Sequence, residues 1–214
     1  MRLRRSVLAG AASLAAAWLV LGAAGAPVAQ DTGTAVSNPI GEAFPLVFDS
    51  EWVRLDVVGD SLEVHTTFVF RCREPIHESI PLFFPFPRDS LLGGAHMVSL
   101  RFHPDAGGSG RWEEMPLDGV RWWVPPCRGD SLVAEAVYRQ KILARYARYI
   151  VTTARLWGRP LRYAEFEIRL PPRAEPVEFS YPFVRRGQGA KAYYAYETEG
   201  FFPDRDVVVR WRRE

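Results

Sequence analysis

Two serines sit in the same four-residue block, Gly59-Asp60-Ser61-Leu62 and Gly129-Asp130-Ser131-Leu132. A serine hydroxyl becomes a nucleophile when a positioned base, most often a histidine, takes its proton. All four histidines, His65, His77, His96 and His103, precede the second block. The first block runs into an alternating apolar segment, and Gly-Asp-Ser is ordinary turn chemistry. Turns are therefore expected at both blocks, with no catalytic residue. The histidines lack partners at metal-ligand spacing. Asp105 and the glycines after it lack the alternating acids of a calcium loop. No metal and no cofactor is expected.

Charge is distributed unevenly. Between Ala136 and Ala164 there is no acidic residue, yet Arg139, Lys141, Arg145, Arg148, Arg155, Arg159 and Arg162 fall there among Tyr138, Tyr146, Tyr149, Trp157 and Tyr163. Arginine beside aromatics grips anionic polymers by charge and stacking. Arg139, Arg145, Arg148, Arg155, Trp157 and Arg159 are thus binding candidates for an anionic envelope surface, an anionic glycan or an acidic partner. The alternative is a set of solvated strand faces whose arginines pair with acids elsewhere, such as Glu113 and Glu114. Trp122-Trp123 and Tyr193-Tyr194-Tyr196 form a second candidate, since exposed rings stack on sugars. Neighbours on a strand point to opposite faces, so at least one of each adjacent pair belongs to the core. Arg128-Gly129-Asp130 matches a tripeptide used by adhesive ligands, which a turn also explains.

The residues before these candidates set the compartment. Arg2, Arg4 and Arg5 open the chain without an acid, an apolar run follows from Val7 to Ala26, and small residues cluster at Gly22–Ala26. That is the layout of a secretory signal peptide over 1–29. Cleavage after Ala24 or after Ala29 fits, and an uncleaved anchor over 7–26 is the alternative. Arg4-Arg5 also resembles part of a twin-arginine signal. The chain carries 27 basic and 25 acidic residues, and removing the three signal arginines leaves 24 against 25, a net of −1. The net charge gives no reason to expect nucleic acid as a partner. The two cysteines, Cys72 and Cys127, both follow the signal. In an oxidising compartment an even count points to a disulfide. Closing that loop would contribute about 4 kcal/mol in the chain-entropy picture.

Residues 30–43 are polar and aperiodic and read as a flexible linker. From Phe44 to the end the pattern is β. Leu62, Val64, Thr66, Phe68 and Phe70 alternate with polar residues. Ala164, Phe166, Ile168 and Leu170 do the same, as do Val177, Phe179, Tyr181 and Phe183, and Val207, Val209 and Trp211. Such alternation marks sheets with one buried and one wet face. Val53, Leu55 and Val57 lead into Gly59-Asp60, so the first two strands form a hairpin. Shorter strands are expected near 80–86, 96–103, 111–115 and 119–124. Residues 131–154 read as a long hairpin, strands near 131–141 and 147–154, with a helix as the alternative. The expectation is an all-β domain over 44–214, an antiparallel β-sandwich of ten to twelve strands behind an N-terminal signal helix.

Several short stretches carry a resemblance. Phe83-Phe84-Pro85-Phe86-Pro87 follows a strand ending Thr67-Phe68-Val69-Phe70. Val137-Tyr138-Arg139-Gln140, Tyr149-Ile150-Val151-Thr152-Thr153 and Trp157-Gly158-Arg159-Pro160-Leu161 come later. The chain resembles secreted bacterial β-sandwich domains of unknown function, and more distantly vault/inter-α-trypsin type domains. The resemblance implies a fold and transfers no catalytic residue. The sequence therefore points to a non-catalytic exported interaction module, with a carbohydrate-binding module or an envelope hydrolase as alternatives.

Overall fold

Alternation along the chain becomes alternation of burial. Leu62, Val64, Thr66, Phe68 and Phe70 are all buried, while the residues between them are partly open to solvent. The computed structural model describes residues 44–103, 110–115 and 119–213. They lie in one compact unit, Ser37–Glu214. The expected signal segment, the linker and Asp105 fall outside the described residues. No helix among the described residues is long and apolar enough to cross a membrane.

Thirteen strands are described, against the ten to twelve expected. They are β1 (Leu46–Val58), β2 (Ser61–Cys72), β3 (Ile80–Pro85), β4 (Leu92–His103), β5 (Arg111–Met115), β6 (Gly119–Val124), β7 (Ser131–Ile142), β8 (Tyr146–Tyr149), β9 (Leu161–Arg169), β10 (Ala174–Phe179), β11 (Val184–Arg186), β12 (Tyr193–Phe201) and β13 (Val207–Arg213). Seven of them make a large sheet in the order β11-β12-β9-β1-β2-β7-β4. Two smaller sheets follow the orders β10-β13-β8 and β3-β6-β5. All three contribute to one core: Phe68 of the large sheet meets Phe84 of β3 at 5.7 Å and Trp122 of β6 at 5.3 Å, and Phe84 meets Tyr149 of β8 at 6.3 Å.

The β1–β2 hairpin forms as expected, turning at Gly59, whose φ of +63° suits a residue without Cβ. Three expectations need correction. The large sheet is mixed, because β1 and β9 run parallel. Alternation shows that a segment is a strand but carries no direction, so only long-range pairing could reveal this. Residues 131–154 are neither hairpin nor helix. β7 pairs with β2 and β4, β8 pairs with β13 in another sheet, and Thr152–Trp157 is a short 3-10 helix. Finally, Val177 is 65% exposed despite its apolar phase. A bulge between Pro176 and Glu178 shifts the β10 register there and turns the side chain outward.

A second bulge lies in β1 between Phe48 and Ser50. It turns Asp49 into a site where Arg71 and Arg162 reach it at 2.7 and 3.0 Å. Burial opposes ionisation of Asp49, but hydrogen bonds from Ser50 and Arg162 and the two guanidinium charges outweigh it and hold the carboxyl below its ordinary value.

Candidate functional site

Cys72 and Cys127 form a disulfide with a Cα separation of 6.6 Å, which ties the end of β2 to the segment after β6. The two serine blocks lie at opposite ends of β2, since Ser61 pairs with Lys141 and Ser131 with Arg71. The Ser61 hydroxyl donates to its neighbour Asp60, at 3.5 Å. His65 faces Glu63 at 2.8 Å on the wet side of β2. Among the described residues no group of three or more His, Cys, Asp or Glu could hold a metal ion.

The candidate arginines do not share one surface. Arg139 lies on the solvent face of β7 and pairs with Glu63 at 2.6 Å. Its hydrogen bond is the main reason the Glu63 carboxyl sits below its ordinary value. Arg148 on β8 pairs with Asp206 at 2.6 Å. Arg155 donates to the Pro203 carbonyl at 3.3 Å and lies over the Phe202 ring at 4.5 Å. Arg145 and Arg159 are exposed. Trp157 packs against Phe44, Phe48 and Phe70. Trp122 is core, and Trp123 is half-buried beneath the Arg111 guanidinium at 4.1 Å. Tyr194 and Tyr196 pack on Phe179, Phe166 and Tyr181. The predicted arginine and aromatic candidates are thus mostly paired or packed rather than gathered.

The register instead assembles a surface that no linear stretch displays. On the solvent face of the large sheet, one row across the strands runs Glu197, Glu165, Trp52, Thr67, Glu135, Arg101. Two rows on, charges interlock: Arg169 reaches Glu167 at 2.5 Å and Asp56 at 3.8 Å, Arg54 reaches Asp56 at 2.8 Å, and Arg139 closes on Glu63. The β9–β12 end of the face is different. Trp52 and Tyr163 meet at 5.5 Å and are both half-exposed. The Tyr163 hydroxyl approaches Glu165 at 3.0 Å and Glu197 at 3.4 Å. Burial, then the hydrogen bonds and charges of these carboxylates, push that hydroxyl up to about 12. Glu165 and Glu197 face each other directly across the β9–β12 ladder. Glu197 also pairs with Arg186, at 3.8 Å. Like charges opposite one another on neighbouring strands repel.

Inside the core lies a different acid. Glu51 is 2% exposed and accepts a hydrogen bond from the Tyr149 hydroxyl. Burial pushes its carboxyl up to about 7, against the pull of that bond. Burial first, then the Glu51 charge, raises Tyr149 well above its ordinary value.

Sequence reasoning missed both groups. Glu51 was within reach, because stepping back by two from Val57, Leu55 and Val53 lands on it in the buried phase. Trp52, Tyr163, Glu165 and Glu197 had no such signal, since three strands and their register create that juxtaposition.

No family model matches the chain, and no curated protein does. Solved structures do. A proposed nutrient-binding protein from Legionella pneumophila is 14% identical with a TM-score of 0.58, over 78% of this chain and 67% of that one. An M1 zinc metallopeptidase from Deinococcus radiodurans is 16% identical with a TM-score of 0.46, over 78% of this chain and 42% of that one. Native leukotriene A4 hydrolase from Saccharomyces cerevisiae is 10% identical with a TM-score of 0.47, over 83% and 31%. The chain thus spans less than half the length of either enzyme. Likeness at such identity concerns the fold, and only the first reaches a TM-score that supports even that.

Proposed function

We propose that this chain is a non-catalytic, exported envelope module with a β-sandwich fold, the large sheet forming one layer and the two smaller sheets the other. Its role is to bind an extracytoplasmic protein through the solvent face of the large sheet, and the segment it takes is basic. The observation that carries this reading is the pair Glu165 and Glu197, opposed across a ladder beside the half-exposed rings of Trp52 and Tyr163. A lysine or arginine from a partner would relieve the repulsion, pair with the carboxylates and lie against the rings. The pairing of Arg139 and Arg148 favours this partner over an anionic polymer. The disulfide accords with an oxidising compartment.

Calorimetric titration of the disulfide-intact chain with an arginine- and lysine-rich peptide tests the reading, with heparin and neutral oligosaccharides run alongside. The peptide should bind more weakly as salt rises. Trp52→Ala, and Glu165→Gln with Glu197→Gln, should each weaken it about tenfold or more. Binding of heparin or of oligosaccharides in place of the peptide, or no response to these substitutions, overturns it.

A further inference from the structure

The charged residues on the strands packed around Glu51 turn away from it. On β1 itself Glu51 stands between Phe68 of β2 and Ala164 of β9, its cross-strand neighbours. Glu63 and His65 of β2, Glu165 and Glu167 of β9, and Glu135 and Arg139 of β7 all lie on the opposite, solvent-facing side of the sheet. On β8, Arg148 is turned to Asp206 and Asp89. On β13, Arg210 lies over Tyr146 and pairs with Glu178. What faces Glu51 is hydroxyl chemistry: Tyr149 of β8, which donates to it, and Tyr138 of β7, which feels its charge. The causes of the Glu51 shift are burial and the Tyr149 hydrogen bond.

The same interior holds buried polar atoms without protein partners. They are Glu51 Oε2, Tyr138 Oη, Gln140 Oε1 and Trp122 Nε1. Three of the four are oxygens, two of them pure acceptors when Glu51 is ionised. A carboxylate here would be a buried charge with one hydrogen bond and no counter-ion, which is costly. A carboxylic acid is neutral and adds a donor where acceptors predominate. The Tyr149–Glu51 hydrogen bond is also a direct polar link between the β10-β13-β8 sheet and the large sheet.

We propose that Glu51 is a proton-dependent joint between these two sheets, closed while its carboxyl is protonated and loosened when it ionises, because the cost of burying the charge exceeds what the carboxylate gains from the Tyr149 hydrogen bond. The direction follows from linkage. The carboxyl titrates near its ordinary 4.5 in the unfolded chain and near 7 in the fold. Below 4.5 it is neutral in both states and the stabilisation is complete. Between 4.5 and 7 the unfolded chain releases the proton first, so stability falls as pH rises, and above 7 the loss is complete. The joint is therefore tight in acid and loose at mildly alkaline pH. It depends on nothing at the Trp52–Tyr163 face.

Hydrogen exchange of the disulfide-intact chain at pH 5.5 and pH 8, corrected for the intrinsic pH dependence of exchange, reads it directly. Amides of β8 and β13 should lose protection at the higher pH by about tenfold more than those of β2 and β7. Glu51→Gln should remove that difference. Equal behaviour of the two groups, or a difference that persists in Glu51→Gln, overturns the proposal. If Glu51→Gln fails to fold, carbon-13 titration of the Glu51 carboxyl in the unaltered chain decides. A midpoint near 7 that coincides with the loss of β8 and β13 protection upholds the joint, and one near the ordinary glutamate value of 4.5, or a loss of protection that does not track it, refutes it.

Discussion

Asp206 shows how much one carboxylate can organise. Its Oδ2 accepts from two nitrogens of Arg148, at 2.8 and 2.6 Å. Its Oδ1 accepts from the Thr152 hydroxyl at 2.7 Å and from the backbone N–H groups of Val151 and Thr152, at 3.3 and 3.2 Å. It therefore anchors the start of the 3-10 turn to the β13 side of the fold. Asp206→Ala would strip Arg148 of its main partner and leave three further donors unmet. Urea unfolding should show a loss of about 2 kcal/mol, the range for hydrogen bonds to charged groups. Nothing in the sequence around Asp206 shows which groups it holds. The Glu51 and Glu165–Glu197 groups escaped for a related reason: a residue's type is local, but its partners are not.

At the level of elements, period-two patterning located most strands but missed local shifts of phase. The β10 bulge is the clearest instance. Phe166, in the unbroken phase of β9, is fully buried, whereas Val177, in the apparent phase of β10, points to solvent. Phe166→Ala should cost about 3–5 kcal/mol. Val177→Ser should stay within about 0.5 kcal/mol of the unaltered protein. Thermal unfolding of the two variants side by side measures the contrast. Residues 131–154 depart from a hairpin for a different reason. Both strands exist near their expected positions, at Ser131–Ile142 and Tyr146–Tyr149, but the chain changes sheets between them. Nothing in the spacing of apolar residues records such a change.

Across the whole molecule, the disulfide joins segments that no single sheet connects. Cys72 ends β2 in the large sheet, and Cys127 follows β6 of the β3-β6-β5 sheet and bridges to Ile76. Replacing both cysteines by alanine releases a 55-residue constraint on the unfolded chain. The loss should be about 4 kcal/mol in the chain-entropy picture, measured by equilibrium denaturation of the oxidised protein against the double variant. A loss near zero would mean that the unfolded chain is already held compact without the bridge.

The sequence by itself determined that the chain from residue 44 onward is β-rich, that the first two strands form a hairpin at Gly59-Asp60, and that its two cysteines suit a bridge. These properties are written in short-range alternation, turn chemistry and composition, and each needs only a few neighbouring residues to be read. Only the tertiary structure decided that β9 runs parallel to β1, that β7 and β8 part into different sheets, and that Arg139, Arg148 and Arg162 separate into different ion pairs. It also brought Trp52, Tyr163, Glu165 and Glu197 together and set Tyr149 against Glu51. Those outcomes depend on which distant strands hydrogen-bond and in what register, and a shift of one residue moves a side chain from the core to the solvent.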